Sequence, residues 1–310
     1  MIIIVNCKSS NCKSPKMPTR YYTVARHTFA VTLPEGEKGI ALPSYEPFAV
    51  AGGAEKPQFT LTVDDTFYPT EKGDTIGEFD CGAADFGVYR LADGTYQILI
   101  SPPGGKYCGL LQANGDFSQA IIATRGENSM RTFAVNNALM LVYAFATATM
   151  ETMLIHASVI KNHGYGYLFL GKSGTGKSTH SSLWLRHIEG SELLNDDNPV
   201  IRIEGGIATV YGSPWSGKTP CYKNDSAPIG AFVRIKQEPT NHIGREGALQ
   251  AFAVLLPSMS TMKWDKRVHG GICDSVSRLI ELTPLYTLGC RPDQEAAEVC
   301  HAAVTSKDNL

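Results

Sequence analysis

The sequence predicts an α/β protein in which an antiparallel β-rich N-terminal domain precedes a domain with a mixed sheet. Short β-prone runs fill residues 20 to about 130, and turn signals such as Ala92-Asp-Gly and Pro102-Pro-Gly-Gly separate them. From Leu154 onward, strand patterns alternate with helical patterns, which is typical of α/β folds. We therefore predict a disordered tail over residues 1–19, a β-rich domain over 20–131 and a second domain over 132–310.

The first predicted domain rests on β-prone runs of about five to thirteen residues. The Asp-Gly pair within Leu91–Thr95 favours a hairpin turn between two of these runs. The predicted strands are Tyr21–Leu33, Gln58–Val63, Phe86–Leu91, Gly94–Ile100, Tyr107–Gln112 and Gln119–Ala123.

A strongly apolar segment follows the β-prone runs and predicts a buried helix over Thr132–Met153 that joins the two parts. Its most apolar stretch, Ala138–Met150, is shorter than the roughly 20 residues that span a bilayer, so we expect no membrane contact. The net charge of −2 does not indicate a nucleic-acid-binding surface. The N-terminus shows no secretory leader, and we expect a cytoplasmic protein with access to ATP.

The second predicted domain begins with two strands, a glycine-rich loop and a helix. A short strand then leads to the polar sequence Asn-Asp-Asp-Asn-Pro, after which further strands and three helices follow. The predicted strands are Leu154–Ile160, Tyr165–Leu170, Glu192–Leu194, Val200–Ile203, Ala208–Tyr211, Ile229–Lys236 and Leu285–Leu288, and the predicted helices are Lys177–His187, Gly244–Leu256, Lys266–Glu281 and Pro292–Val304.

The glycine-rich loop reads Gly-Lys-Ser-Gly-Thr-Gly-Lys-Ser and is a phosphate-binding P-loop pattern. Its glycines allow positive φ, so backbone N–H groups can wrap a polyphosphate at the positive end of the next helix. The lysine can reach the β- and γ-phosphates, and the serine hydroxyl can ligate Mg²⁺. The alternative is a glycine-rich turn without a ligand. The predicted phosphate-binding residues are Gly171, Lys172, Ser173, Gly174, Thr175, Gly176, Lys177, Ser178 and Thr179.

Two adjacent carboxylates, Asp196 and Asp197, follow the next predicted strand. At the end of a strand in a P-loop fold they would face the metal, so one can hold Mg²⁺ while the other accepts a proton from a hydroxyl. The sequence does not say which does which. The alternative is a simple turn, because Asn-Asp-Asp-Asn-Pro also has favourable turn chemistry.

The segment from His156 to Ile203 resembles the nucleotide core of HPr kinase/phosphorylase and, more broadly, that of PEP carboxykinase. The resemblance rests on His156, fifteen residues before Gly171, on the P-loop, and on the Asp196-Asp197 pair. It is strongest to HPr-kinase-related proteins in which a Gly-Ser/Thr-Pro-Trp element follows, here Gly212–Trp215. The glutamate-centred motif of HPr kinases is absent at this position.

The resemblance implies transfer of the γ-phosphate of ATP to a hydroxyl, with Mg²⁺ as cofactor. By this comparison Lys177 would bind phosphate, Ser178 would bind Mg²⁺, His156 would line the active site, and Asp196 or Asp197 would be the general base. The resemblance also allows a homo-oligomer. It does not extend to residues 1–130.

Further candidates lie outside the motifs. The loop after Gly212–Trp215 is rich in Gly and Pro and carries two lysines that can neutralise phosphate charge, while its tryptophan can stack on a ligand. Packing and solvation are the alternative roles. The arginines Arg234, Arg245 and Arg291 are candidate anion contacts. The predicted substrate residues are Trp215, Lys218, Lys223 and Arg291.

The sequence therefore predicts an ATP- and Mg²⁺-dependent kinase whose acceptor is a serine of a protein or peptide, or a small alcohol. The acceptor itself is not identified by any motif. Two alternatives stay open: a non-catalytic nucleotide-sensing or peptide-binding module, and a PEP carboxykinase-like ATP-dependent enzyme.

Overall fold

The computed structural model describes residues 18–34, 40–52, 56–80, 84–217 and 219–306. Of the predicted tail, residues 1–17 lie outside this described part, whereas Thr19 already belongs to the first strand. Nine strands of the described N-terminal part form one sheet. They are β1 (Thr19–Val24), β2 (His27–Thr32), β3 (Ala49–Val50), β4 (Thr60–Val63), β5 (Asp74–Asp80), β6 (Asp85–Arg90), β7 (Tyr96–Ser101), β8 (Gly109–Ala113) and β9 (Gln119–Thr124).

This first sheet has the strand order β3-β1-β2-β4-β9-β8-β7-β6-β5. The prediction of an antiparallel sheet is wrong at β4, which pairs in parallel with both β2 and β9. The predicted run Tyr21–Leu33 is two strands, because Ala25 and Arg26 adopt positive φ values of 45° and 63° and form a tight turn. Strand β5 was not predicted; it lies at the sheet edge and carries several acidic residues that oppose a β assignment.

The first helix, α1, spans Asn128–Thr147. It begins four residues before the predicted helix and ends six residues before the predicted end, yet most of its side chains are buried as expected. Its buried apolar side chains belong to one hydrophobic cluster that includes residues of the first sheet together with Leu154, Leu168 and Phe232 of the second. The predicted boundary between residues 131 and 132 falls inside α1. The division into two domains stays a prediction.

The second sheet also contains nine described strands. The order is β10-β14-β15-β16-β12-β11-β13, with β18 added beside β16 and β17 beside β18. The strands are β10 (Thr152–Leu154), β11 (Ala157–Asn162), β12 (Tyr165–Leu170), β13 (Ser191–Asp197), β14 (Val200–Glu204), β15 (Ile207–Tyr211), β16 (Ser226–Gln237), β17 (His242–Arg245) and β18 (Leu285–Cys290).

Both parallel and antiparallel pairs occur in this sheet, so the predicted α/β architecture with a mixed sheet is confirmed. Strand β11 runs antiparallel to β12 and to β13, so the C-terminal ends of β12 and β13 lie at the same edge. Strand β16 runs parallel to β12 and reaches this edge at Arg234, which pairs with Leu170. We call this the carboxyl edge; the P-loop and the Asp196-Asp197 pair meet there.

Four helices accompany the second sheet: α2 (Lys177–His187), α3 (Ala248–Leu255), α4 (Lys266–Leu282) and α5 (Gln294–Val304). The predicted helix Gly244–Leu256 is wrong at its start, because that segment first forms β17. Helices α2 and α5 cover one face through a cluster with Phe169, Trp184 and Val233, and α3 and α4 pack on the other face. None of the helices in the described part of the chain is long and apolar enough to cross a bilayer.

Candidate active site

The P-loop connects β12 to α2 and has the conformation that its glycines allow. Gly174 and Gly176 have φ values of 82° and 102°, which side chains with a Cβ rarely adopt. The loop is closed by Thr175, whose N–H and hydroxyl both donate to the carbonyl of Lys172, at 3.1 and 2.8 Å. Lys172, Ser173 and Gly174 are exposed at the tip, so their backbone groups are accessible to a ligand.

Lys177, the first residue of α2, directs its ammonium group into the loop. Its Nζ donates to the carbonyl of Gly171 and lies 2.9 Å from both that oxygen and Nε2 of His156. Burial lowers the pKa of Lys177, while the negative charges of Asp197 and Asp196 act in the opposite direction. The cation is therefore held beside the loop by neighbours that a phosphate oxygen could replace.

His156 lies between Lys177 and Asp197. Its Nδ1 is 2.9 Å from Oδ1 of Asp197, and its backbone N–H donates to the carbonyl of Ser258 at 2.8 Å. An ammonium group has no acceptor, so Nε2 accepts from Lys177 and Nδ1 donates to Asp197. The structure thus brings Lys177, His156 and Asp197 into one hydrogen-bonded row.

The second carboxylate, Asp196, faces the hydroxyl of Ser178. Ser178 Oγ donates to Asp196 Oδ1 at 3.0 Å, and Asp196 is only 7% exposed. The described residues contain no cluster of three or more His, Cys, Asp or Glu side chains that could enclose a metal. A hydroxyl and a carboxylate nevertheless fit Mg²⁺, which prefers oxygen ligands and retains several waters.

Three residues that sequence reasoning missed hold the Asp pair in place. Asn195, fully buried, accepts the N–H of Asp197 at 3.0 Å and donates to Oγ of Ser213 at 3.2 Å. Gly217 donates its N–H to the carbonyl of Asp196 at 3.1 Å. A Cβ on Gly217 would lie 2.6 Å from that carbonyl, so the close approach requires glycine. Ser213 lies within the Gly212–Trp215 element, and Gly217 follows it by two residues. This element is the sequence feature from which their role in positioning the aspartates could have been predicted.

Two clefts flank the P-loop. The α5 cleft, of about 610 Å³, is lined by Gly176, Thr179 and His180 on one side and by Arg291 and Pro292 on the other. The His156 cleft, of about 770 Å³, lies on the opposite side of the loop. Its lining includes His156, Gly171, Lys172, Arg234, Gln250 and Val254. Both clefts share Thr175, so ligands in the two would meet at the loop.

The candidate substrate residues lie in different environments. Trp215 is 2% exposed, packs on Tyr143 and donates from Nε1 to the hydroxyl of Tyr45 at 2.8 Å. This placement in the core does not support the predicted stacking on a ligand. Lys218 lies outside the described residues.

Lys223 and Arg291 are both ion-paired. Lys223 contacts Glu192 at 3.3 Å, and Glu192 is paired with Lys161 at the far end of β11 from His156. This placement does not support the predicted role of Lys223 at the phosphates. Arg291 lines the α5 cleft but contacts Asp293 at 3.0 Å and Glu295 at 3.4 Å.

Comparison with known proteins adds a distant structural similarity. No protein-family model matches the chain, and no curated protein matches it. Among solved structures, it is similar to the Hpr(Ser) kinase/phosphatase from Coxiella burnetii, at 11% sequence identity and a TM-score of 0.30. The match covers 48% of this chain and 95% of that one. At this TM-score the similarity carries no argument for a particular activity.

Proposed function

We propose that the protein is an ATP- and Mg²⁺-dependent kinase that transfers the γ-phosphate to a hydroxyl. One observation carries this proposal: the carboxyl edge brings a P-loop, a Ser178–Asp196 oxygen pair and the row Lys177–His156–Asp197 together. If the loop were a glycine-rich turn that binds no ligand, we would not expect two carboxylates of β13 to lie next to the start of α2.

Each part has a physical role. The loop amides and the N-terminus of α2 hold the phosphate oxygens, and Lys177 exchanges its contact with Gly171 for one with phosphate. Ser178 and Asp196 hold Mg²⁺, which supplies charge neutralisation at the β- and γ-phosphates when bound. Catalysis then comes mainly from positioning and electrostatic stabilisation.

The two aspartates divide the work. Asp196 is buried against Ser178 and serves the metal, whereas Asp197 is half-buried and contacts His156. We assign proton acceptance from the acceptor hydroxyl to Asp197, with His156 orienting its carboxylate. His156 lines the cleft that bears its name, so the acceptor binds there and the nucleoside of ATP binds in the α5 cleft.

The test combines nucleotide binding with transfer from γ-labelled ATP in the wild type, Asp196→Asn and Asp197→Asn. D197N should keep its affinity for Mg²⁺-ATP and lose most turnover, whereas D196N should bind Mg²⁺-ATP more weakly and also lose turnover. Asp225→Asn is the matched control, because Asp225 pairs with Lys161 at the opposite end of the sheet.

The alternatives give different results in the same assays. A non-catalytic nucleotide-sensing or peptide-binding module would bind ATP without turnover in the wild type, and D197N would then change nothing. A PEP carboxykinase-like enzyme would consume ATP only when oxaloacetate is supplied. Failure of the wild type to bind Mg²⁺-ATP at millimolar concentration would refute the kinase proposal.

A further inference from the structure

We propose that the His156 cleft selects hydroxyl acceptors that carry a carboxylate, and that Arg234 binds this carboxylate. The proposal rests on the kinase function proposed above and adds the chemical class of the acceptor. A free hydroxy acid and the C-terminal end of a peptide both present the required group.

Arg234 occupies a special position in β16. It pairs with Leu170, the residue that precedes the P-loop, and therefore lies at the carboxyl edge. Its neighbours Val233 and Ile235 point into the cluster under α2 and α5, so strand alternation places Arg234 on the opposite face, toward α3. This face forms a wall of the His156 cleft.

Arg234 is half-buried as a residue, and no hydrogen bond or ion pair joins its guanidinium to another residue in the described part of the chain. Arg291 differs, because Asp293 and Glu295 already neutralise it. A guanidinium that is partly desolvated and has free donors is suited to a bidentate contact with a planar carboxylate. Arg234 is thus the arginine of the site that has donors available for a ligand.

The charge of the cleft supports the same conclusion. Lys172, Arg234 and Lys236 line it together with a single carboxylate, Glu238. The opposite wall is partly apolar, with Ala253, Val254 and Pro257. Apolar walls exclude water and strengthen the attraction between the cationic groups and an anionic ligand. A neutral alcohol would leave this charge uncompensated beside the transferring phosphate.

The bound acceptor would span the cleft from Arg234 to His156, both of which line it. Its hydroxyl oxygen forms a bond to the γ-phosphorus while the bond from that phosphorus to the β–γ bridging oxygen breaks. The hydroxyl proton passes to Asp197, and the electron pair of the broken bond leaves with ADP. The carboxylate remains on Arg234 and takes no part in bond making, so Arg234 is a specificity residue.

Three matched pairs of acceptors test the inference: D-glycerate against glycerol, L-serine against serinol, and a peptide ending in serine with a free against an amidated C-terminus. Acceptor binding is measured by calorimetry on the full chain with Mg²⁺ and a non-hydrolysable ATP analogue, and transfer is measured from γ-labelled ATP. We expect the carboxylate member of at least one pair to bind and react about 10-fold better or more. The first two pairs report a small acid, and the third reports a peptide end.

Arg234→Gln should raise the KM of that acceptor by about 10-fold or more and change the Kd of the nucleotide by less than about twofold. Arg234→Lys keeps the positive charge and should recover part of the loss. Arg186→Gln is the matched control, because Arg186 is exposed in the last turn of α2 and lines neither cleft. Retained nucleotide affinity shows that each variant is folded.

If both members of every pair bind and react equally, or if neither member does, the inference is overturned. The kinase proposal is then still tested by the Asp196 and Asp197 variants. Weaker nucleotide binding in R234Q with an unchanged acceptor KM would also overturn it, because Arg234 would then serve ATP. A wild type that does not bind Mg²⁺-ATP would overturn both proposals.

Discussion

The two nine-stranded sheets place aspartates at strand ends for different purposes. In the first sheet, Asp64, Asp93 and Asp116 each accept the backbone N–H of the residue two positions later. Hydrogen bonds from that residue lower the pKa of each carboxyl: the side-chain hydroxyl contributes most at Asp64 and Asp116, and the backbone N–H contributes most at Asp93. In the second sheet, Asp196 contacts a hydroxyl 18 residues away, and Asp197 contacts His156, which immediately precedes β11.

These two groups of aspartates differ in how far away in the sequence their contact partners lie. A carboxylate whose partners are its own neighbours stabilises a turn, whereas one held in a strand by other residues is available to a distant partner. Asn195 makes this possible, because it accepts the Asp197 N–H and leaves the carboxylates directed outward. Distant contacts alone do not mark a site, because Asp65 after β4 also pairs with Arg131; at the carboxyl edge the distant partners place the carboxylates beside the P-loop.

The largest expected effect tests whether phosphate transfer depends on the groups at the carboxyl edge of the second sheet and not on those at its other end. Lys177→Met should reduce phosphate transfer by about 10³-fold, because it removes the cation beside the transferring group. Steady-state transfer from γ-labelled ATP measures it. The control Lys223→Met, in an exposed ion pair at the other end of the sheet, should stay close to wild type. Similar losses in both variants would contradict the proposed site.

A second prediction compares two buried histidines, His27 in β2 of the first sheet and His180 in α2. Burial lowers the pKa of His27 and of His180 to about 4, against about 6.5 in the unfolded chain. The unfolded state therefore binds more protons below pH 6.5, and stability falls as the pH drops toward 4. At pH 5 the loss is about 2 kcal/mol for each histidine.

Urea unfolding at pH 7 and pH 5 measures this loss. His27→Gln should reduce the difference between the two pH values, whereas His187→Gln, at an exposed position, should leave it unchanged. An undiminished pH dependence in H27Q would show that His27 is not responsible.

A third prediction sharpens the distinction between turn and site aspartates. Gly217→Ala would place a Cβ 2.6 Å from the carbonyl of Asp196 and 3.1 Å from Cβ of Asp197, so the pair must shift. We expect turnover to fall by about 10-fold or more with little change in the melting temperature. Gly244→Ala, where a Cβ would meet no atom within 4 Å, is the control. Normal turnover in G217A would mean that the position of the pair matters little.

The smallest expected effect concerns the contact between the two regions. Trp215→Phe removes the hydrogen bond to the buried Tyr45 hydroxyl and should cost about 1 kcal/mol of unfolding free energy. The affinity for ATP should not change. Trp264→Phe, at a partly exposed position, gives the comparison. A large loss of ATP affinity in W215F would restore a ligand role for Trp215.

The sequence predicted best what local chemistry determines. The strand Tyr165–Leu170 and the helix Lys177–His187 have the predicted bounds, because an apolar β-prone run, glycines and helix propensity act within a few residues. Parallel pairing of β4 and the burial of Trp215 depend on partners far away in the sequence, which no local pattern encodes. The roles of Asn195 and Gly217 are non-local for the same reason.

The hydrogen bond between Trp215 and Tyr45 matters for any attempt to express the second part of the chain by itself. Ser213 and Gly217, which brace the aspartates, flank Trp215, and Tyr45 also donates to Asn136 of α1. A fragment that starts after the first sheet would lack Tyr45, so the indole N–H of Trp215 would lose its hydrogen-bond partner. Under the proposed kinase function, such a fragment should turn over slowly although it keeps His156, Lys177, Asp196 and Asp197, because the N-terminal part supports the segment that positions the aspartates.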